Sequence, residues 1–303
     1  MRAKLPTAAL PVNERTASGR GMADIAILTP DPASEAYHTR WPAVLAELAA
    51  PLEAAGHRVS GPSWTADLDG FDLVLPLLAW GYHLAGAQWA GATERWRTAG
   101  LRVWNPPPVL QWNADKSYLG RLAEAGAPIV PTRFVERLSP TEMAEAAAAF
   151  GTERLIAKPR ISAGAWRTIR WAPGASLDDG PAGSAIIQPY LPAIETEGEV
   201  SLIYLGGAFS HAIRKRPQPG DFRVQPEYQG IIGAHQPAPD EQAAAEAALA
   251  VVEEPLLYAR VDLVRDLGGR PVLMELELVE PDLYLRYDAA APARFAGTVS
   301  GLL

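Results

Sequence analysis

Apolar and polar positions alternate along the first third of this chain in the order expected of strands and helices in turn. The apolar runs AILT and DLVLPLL, which start at Ala26 and Asp72, predict two strands. Between them, WPAVLAELAAPLEAAG predicts a helix that ends at Gly56, and a helix over 89–99 and the strand LRVW follow. Because strands that alternate with helices form parallel sheets covered by helices, we predict a parallel α/β domain over residues 23–112.

The pattern changes after this domain. NADKSYLGRLAEAG predicts a helix capped by Asn113 and closed by Gly126, and the strand IVPTRFVE follows it. SPTEMAEAAAAFG predicts a second helix, with Ser139 as N-cap and Glu142 completing a capping box. RLIAKP, TIRWA and AIIQPYL then read as short strands. A helix with antiparallel strands predicts an α+β lobe over residues 113–190.

The remaining residues, 191–303, predict a second α+β lobe. EVSLIYLGG and FSHAIRKRP read as a hairpin, a polar and proline-rich loop follows it, and a helix is predicted over 240–252. A second hairpin over 258–283 turns at the glycine pair Gly268 and Gly269.

The second hairpin carries an unusual set of charges. If the two glycines form a two-residue turn, Asp262 lies opposite Glu275 and Arg260 lies opposite Glu277. Like charges directly opposite each other are unfavourable in a sheet, and a hard divalent cation such as Mg²⁺ removes the conflict by taking carboxylate oxygens as ligands. Asp262, Glu275 and Glu277 are therefore candidate metal ligands, and the alternative is an exposed hairpin face with solvated charges.

Two lysines upstream are candidates for phosphate binding. Lys116 lies near the start of a predicted helix, and Lys158 ends an apolar strand just before the small-residue loop that contains Gly164. A lysine ammonium meets phosphate as a point charge, and backbone N–H groups of a small-residue loop can approach the same oxygens. Taken singly, each lysine has the simpler interpretation of a solvated surface residue.

The linker between the two α+β lobes is a candidate for nucleoside binding. Backbone groups at Gln188, Tyr190 and Leu191 can face a purine edge, and Glu199, at the head of the next strand, can accept ribose hydroxyls. An ordinary interdomain connection explains Gln188 and Tyr190 equally well.

Composition limits the class of protein. The 303 residues are 48% apolar and 20% charged, as in an ordinary globular protein of two or three domains, and the net charge of −8 argues against nucleic acid as a partner. The absence of cysteine excludes disulfides and thiolate sites, and the five histidines show no ligand spacing. No apolar run is long enough to cross a membrane, and residues 1–22 read as a disordered leader rather than a secretion signal. We expect a cytoplasmic protein.

The order of these features resembles the ATP-grasp superfamily. Its members have a parallel α/β domain followed by two α+β lobes that hold ATP between them. They carry a lysine before the middle lobe, a second lysine before its glycine loop, a hinge, an R-x-D strand and an acidic strand of the form E-x-N. The matching residues of this chain are Lys116, Lys158, 188–191, Arg260 with Asp262, and Glu275 with Glu277. The resemblance covers essentially the whole chain after the leader.

This sequence departs from that pattern in two places. Glu277 stands where many members have asparagine, which adds a negative charge to the predicted metal site, and the phosphate loop offers only Gly164 where many relatives have several glycines. The stretch KRPQPGDFRVQPEYQG resembles a loop of the ribosomal-protein glutamate ligases and bacterial glutathione synthetases, and Lys215 and Arg223 match its basic positions. WNADKSYL, FRVQPEY, ELELVEP and the Trp80–Tyr82 segment are most similar to the D-cycloserine synthetase branch.

The resemblance implies an ATP-dependent ligase that forms a C–N bond through an acyl phosphate on a small amino-acid-like substrate, with intramolecular cyclisation as one form. It implies one or two Mg²⁺ ions, with Mn²⁺ as a substitute, and Arg260 and Arg223 as catalytic residues. It also allows a homodimer. Trp80 and Tyr82 would shape the substrate pocket, although core packing also explains Trp80. We expect the loop 218–233 to be mobile without nucleotide and to close over ATP. The alternative is an inactive nucleotide-binding or scaffold protein of the same fold.

Overall fold

The computed structural model describes residues 21–34, 40–218, 223 and 230–303. Most of the predicted leader and most of the predicted mobile loop 218–233 lie outside these residues. None of the helices within them has the length and apolar character needed to cross a membrane.

The first sheet has three parallel strands, in the order β2-β1-β3. Its strands are β1 (Asp24–Ile27), β2 (Arg58–Ser60) and β3 (Leu73–Leu75), and it is accompanied by α1 (Trp41–Ala54) and α2 (Gly86–Thr98). The predicted parallel α/β arrangement is therefore confirmed. The predicted strand LRVW is wrong in extent, since only a bridge between Val103 and Val74 forms. The three prolines from Pro106 onwards lack N–H donors and begin the next helix, so the ladder cannot extend.

The predicted helix capped by Asn113 is wrong. Two short helices, α3 (Pro107–Ala114) and α4 (Tyr118–Glu124), flank a turn that contains Lys116. Asn113 lies in the last turn of α3, where its amide donates to the carbonyl of Leu276 and accepts from the N–H of Leu278, both at 2.8 Å. The side chain completes the hydrogen bonds of a distant strand instead of capping a helix, because those buried backbone groups need partners.

The second sheet is antiparallel, in the order β4-β7-β5-β6, and α5 (Pro140–Phe150) packs on it. Its strands are β4 (Arg133–Val135), β5 (Leu155–Pro159), β6 (Ile169–Trp171) and β7 (Ala185–Pro189). Ser139 caps α5 by accepting from the N–H of Glu142 at 3.2 Å, as predicted. The predicted capping box is incomplete because the Glu142 carboxylate pairs with Arg133 on β4 at 2.7 Å.

The third sheet is antiparallel, in the order β10-β9-β8-β11-β12. It contains both predicted hairpins, and its strands are β8 (Glu199–Leu205), β9 (Ala208–Arg216), β10 (Ile231–His235), β11 (Tyr258–Arg265) and β12 (Pro271–Glu277). Two helices lie in the same part of the chain, α6 (Ala193–Thr196) before β8 and α7 (Pro239–Leu249) between β10 and β11. The final helix, α8 (Ala291–Leu302), returns to pack against α1. Ile25 of β1, Ile203 of β8 and Phe295 of α8 share one buried core, so the first and third sheets are joined by packing. The predicted boundaries at residues 112 and 190 stay predictions.

Candidate active site

The β11–β12 hairpin has the predicted register at the charged positions. Asp262 pairs with Glu275 and Arg260 pairs with Glu277. The predicted two-residue turn is wrong, since the N–H of Asp266 donates to the carbonyl of Arg270 and closes a longer loop over 266–270. A bulge at Met274 compensates, because Leu263 faces Leu273 while Asp262 faces Glu275. The bulge therefore keeps the carboxylates of β12 on the face of Arg260 and Asp262.

Arg260 links the carboxylates of the two strands. It is buried, its Nε lies 3.0 Å from Asp262 Oδ1, and it also donates to Glu277. Burial acts to raise the pKa of Asp262, but Arg260 and Lys215 overcome this and lower that pKa to about 2. At Glu277, burial outweighs the opposing charge of Arg260. The carboxylates of Asp262 and Glu275 act in the same direction as burial, and the pKa of Glu277 rises to about 8.

Lys116 holds the third carboxylate. Its Nζ lies 3.1 Å from Glu275 Oε1 and donates to the carbonyl of Ser162 at 2.6 Å. Although burial opposes it, the positive charges of Lys116 and Lys158 lower the pKa of Glu275. Lys158, on β5, is buried in the same wall, and this burial lowers its own pKa. The two predicted phosphate-binding lysines thus lie at the predicted carboxylates.

The small-residue loop lies beside Lys116. Gly164, Ala165 and Arg167 have φ angles of 60°, 59° and 50°, a left-handed conformation that is uncommon outside glycine. Residues held in such conformations cluster at ligand-binding sites, where the surrounding structure holds them in place. The loop therefore adopts a conformation typical of glycine, although Gly164 is the only glycine among these three residues.

The linker between the two antiparallel sheets borders an apolar cluster. Gln188 donates to the Thr132 hydroxyl at 2.9 Å, and the N–H of Tyr190 donates to the carbonyl of Arg154 at 2.8 Å. The cluster against the linker consists of Val130, Ile156, Tyr190, Leu191, Ile194, Val264 and Met274 with a few further residues. At the head of β8, Glu199 is buried and pairs with Lys215 at 2.5 Å, and Lys215 also lies 3.6 Å from Asp262.

One cavity of about 370 Å³ joins these groups. All thirteen predicted site residues line it: Lys116, Lys158, Gly164, Gln188, Tyr190, Leu191, Glu199, Lys215, Arg223, Arg260, Asp262, Glu275 and Glu277. The roles assigned to them stay predictions. Within the described ranges no three histidine or acidic side chains are grouped closely enough to hold a metal ion, since Arg260 and Lys116 engage the carboxylates.

Sequence reasoning missed several residues of this cavity. Glu280, Asp282 and Tyr284 follow β12 and line the cavity, as do Trp80 and Tyr82, which the sequence had placed at the pocket. The acidic E-P-D spacing shortly after β12 was the available signal for Glu280 and Asp282. Nothing in the sequence indicates the left-handed φ of 49° at Tyr284.

Comparison with known proteins places the chain in a family. No family model matches it. The cycloserine biosynthesis protein DcsG of Streptomyces lavendulae is 31% identical over 252 residues, which are 77% of this chain and 83% of that protein. The crystal structure of D-cycloserine synthetase DcsG matches with a TM-score of 0.76 and 27% identity, over 92% of this chain and 99% of the other.

Two more distant structures share the fold. D-alanine–D-alanine ligase from Bacillus anthracis, complexed with ATP, matches with a TM-score of 0.66 at 15% identity, over 93% of this chain and 97% of that one. The ATP-grasp ligase PsnB, complexed with a precursor variant, Mg and ADP, matches with a TM-score of 0.63 at 15% identity, over 92% and 99%. With two lysines, two arginines and three carboxylates around one cavity between its lobes, this chain belongs to the ATP-grasp ligases, in the branch of D-cycloserine synthetase DcsG.

Proposed function

We propose that this ligase uses MgATP to phosphorylate the carboxylate of a small amino-acid-like substrate and joins the acyl phosphate to an amine or aminooxy nitrogen. A carboxylate oxygen attacks the γ-phosphorus and ADP leaves; the nitrogen then attacks the carbonyl carbon, phosphate leaves and the nitrogen loses a proton. The observation that carries this proposal is the single cavity in which Lys116, Lys158, Arg223, Arg260 and the hairpin carboxylates meet.

The nucleotide base belongs at the linker end of the cavity. The apolar cluster there offers apolar surface to the base, and the backbone of 188–191 offers polar groups to its edge. Lys215 occupies one oxygen of the Glu199 carboxylate, so the other can accept a ribose hydroxyl.

The phosphates belong between the lysines and the hairpin. Lys116 and Lys158 would neutralise phosphate oxygens, and the left-handed loop at Gly164 would bring backbone N–H groups to them. Asp262, Glu275 and Glu277 would hold one or two Mg²⁺ ions, or Mn²⁺, together with phosphate oxygens, because Mg²⁺ is usually bound by only one or two carboxylates beside the phosphates and these three lie on one sheet face. Bound Mg²⁺ would supply charge neutralisation on the phosphates.

The two arginines belong at the reacting groups. Arg260 is fixed by Asp262 and Glu277, so its guanidinium is held in place before substrate binds, as transition-state stabilisation requires. Arg223, which also lines the cavity, would bind the transferred phosphoryl group. Positioning and charge neutralisation are what phosphoryl transfer asks of a protein.

The experiment is ADP and phosphate release with MgATP against a panel of amino acids, O-ureidoserine and amine pairs. We expect release that needs one particular carboxylate and yields a C–N product, either cyclic or intermolecular, and that is lost in Glu275→Gln. Glu153→Gln is the matched control, because Glu153 is exposed and away from the cavity. ATP binding without release on any panel member would favour the inactive nucleotide-binding alternative.

Location and assembly complete the proposal. We expect the ligase to work in the cytoplasm, on small molecules rather than on nucleic acid or membranes. A homodimer stays a prediction that sedimentation velocity at micromolar concentration checks.

A further inference from the structure

The chain that follows β12 forms a rigid wall of the cavity on the side of the first sheet. Asn105 donates to the carbonyl of Leu278 at 2.8 Å, and the Tyr258 hydroxyl donates to the carbonyl of Val279 at 3.0 Å. The Val279 side chain is buried in the same cluster as Tyr82 and Trp89. The next residue, Glu280, therefore lines the cavity from a fixed backbone near Tyr82.

Glu280 has no ion pair or hydrogen bond with any residue that the structure describes. The two cations whose charges act on Glu280, Arg260 and Lys116, already have partners. Arg260 holds Asp262 and Glu277, Lys116 holds Glu275 and the Ser162 carbonyl, and Arg286 holds Asp282 and Glu47. A carboxylate that is left unpaired next to apolar side chains is costly, so this position calls for a cation from outside the protein.

Tyr82 is an independent pointer to the same ligand. Its side chain is only 6% exposed, it lines the cavity, and its hydroxyl makes no hydrogen bond with the described part of the chain. After burial, the charges that raise its pKa most are those of Glu280, Glu275 and Glu277, all on the cavity wall. The hydroxyl oxygen therefore stays free to accept a hydrogen bond from a ligand in the cavity.

An organic ammonium fits this corner better than a second hydrated metal ion. Val279 and Tyr82 present apolar surface beside Glu280, which suits a primary amine on a carbon chain. The phosphate-facing residues begin three positions earlier, at Glu277. An amino acid whose carboxylate reaches Arg260 would therefore carry its amino group along this wall.

We propose that Glu280 and Tyr82 bind the ammonium group of an amino-acid substrate, with the Glu280 carboxylate as its counter-ion and the Tyr82 hydroxyl oxygen as a second acceptor. This inference rests on the proposed function and names the substrate class as acids that carry a free amino group. Burial, with the charge of Glu277 next, raises the pKa of Glu280 well above its usual range. This agrees with a carboxyl group that lacks its cation until substrate binds.

The test compares substrates with and without the amino group. O-ureidoserine, alanine and serine, each in both enantiomers, are assayed for ADP release beside the same acids with hydrogen in place of the amino group. We expect the wild-type protein to prefer the amino acid by at least about tenfold in kcat/KM, since a hydrogen bond to a charged group is at stake.

The variants assign that preference to residues. Glu280→Gln should raise KM for the amino acid about ten- to hundredfold, leave KM for ATP unchanged and abolish the preference over the des-amino acid. Tyr82→Phe should give a smaller loss, about three- to tenfold, because its hydrogen bond has a neutral partner on the protein side. Glu153→Gln should match the wild type. Should Glu280→Gln melt too early to assay, Tyr82→Phe carries the comparison.

The outcomes separate this inference from the proposed function. Equal use of amino and des-amino acids by the wild type would overturn the ammonium site while leaving the ligase intact. An undiminished preference in Glu280→Gln would do the same. ADP release with no acid of either series, although MgATP binds, would contradict the proposed function, and the ammonium site would be rejected with it.

Discussion

At the scale of single residues, Lys215 balances the buried negative charge of the site. Its Nζ lies 2.5 Å from Glu199 and 3.6 Å from Asp262, and all three side chains are almost fully buried. Lys215→Met would leave two buried carboxylates short of a cation, and removing one partner of a buried pair typically costs about 3–5 kcal/mol. We expect a loss of that size in the free energy of unfolding, measured by urea denaturation.

The double variant Glu199→Gln with Lys215→Met is the matched control. It removes both members of the closest pair, so the remaining buried charge is smaller and the loss should be less than in Lys215→Met alone. A double variant that is less stable than the single one would show that the pair is not the source of the effect.

His83 makes the stability of the protein depend on pH. Burial, and then the positive charge of Lys116, lower the pKa of His83 from 6.5 to about 4. Between these two pH values His83 is mostly protonated in the unfolded chain and mostly neutral in the folded protein. The contribution of His83 to the free energy of unfolding is therefore fully present above pH 6.5. It is lost as the pH drops towards 4, by up to about 2–3 kcal/mol.

The variant His83→Gln removes this titration. Its melting temperature should fall less steeply than that of the wild type between pH 6.5 and pH 4, and the two slopes should agree above pH 7. Parallel melting curves over the whole range would mean that His83 is protonated as easily in the folded protein as in the unfolded one.

At the scale of elements, the close approach of β8 and β9 depends on Gly198. Its φ is 89°, and a Cβ at this position would stand 2.3 Å from the Lys215 carbonyl oxygen. Gly198→Ala must therefore push the start of β8 away from β9 and disturb the Glu199–Lys215 pair. We expect a loss of more than about 2 kcal/mol in unfolding free energy and weaker binding of a non-hydrolysable MgATP analogue.

Gly297, within α8, is the comparison for this substitution. Nothing lies within 4 Å of a Cβ built there, and its backbone is helical. Gly297→Ala should stabilise the protein by about 0.5–1 kcal/mol, since alanine loses less entropy than glycine in a helix. Equal losses at both positions would refute the steric argument.

The charged hairpin shows how sequence reasoning can succeed through compensating departures. Side-chain alternation and the glycine pair predicted Asp262 opposite Glu275, and this pairing is observed. The turn is longer than assumed, which alone would have shifted every pair by one residue and turned Glu275 and Glu277 to the other face. The bulge at Met274 restores the register. A bulge inside an apolar and acidic run has no marker in composition, so its position could not be predicted.

At the scale of the whole molecule, the site residues were predictable where their chemistry is local to one element. Lysines at strand ends, an R-x-D strand and an acidic strand are visible in sequence, and all of them reach one cavity. The assignment failed where a residue takes its role from a distant segment. Asn113 completes the backbone of β12 instead of capping a helix, and Glu280 gains its meaning only when Val279 packs beside Tyr82.

Binding of MgATP should couple the lobes, because the cavity is lined by both antiparallel sheets and by residues 80–82, which follow β3. A ligand that binds only the folded state at a hundred times its Kd adds about 2.7 kcal/mol to stability. A non-hydrolysable ATP analogue should therefore raise the melting temperature by a few degrees when Mg²⁺ is present, and by less after the metal is chelated, since phosphates would then face the hairpin carboxylates directly.

The metal-dependent part of this stabilisation should grow with pH. In the proposed metal site, Mg²⁺ would need Glu277 as a carboxylate, and the pKa of about 8 leaves this group mostly protonated at pH 7 and mostly ionised at pH 9. Mg²⁺ should thus bind about tenfold more tightly at pH 9 than at pH 7, at saturating nucleotide analogue. Glu277→Asn removes the titrating group and should bind Mg²⁺ with little change over this range. A wild type as insensitive to pH as this variant would mean that Arg260 keeps Glu277 ionised throughout, so that its carboxylate accepts the metal without losing a proton.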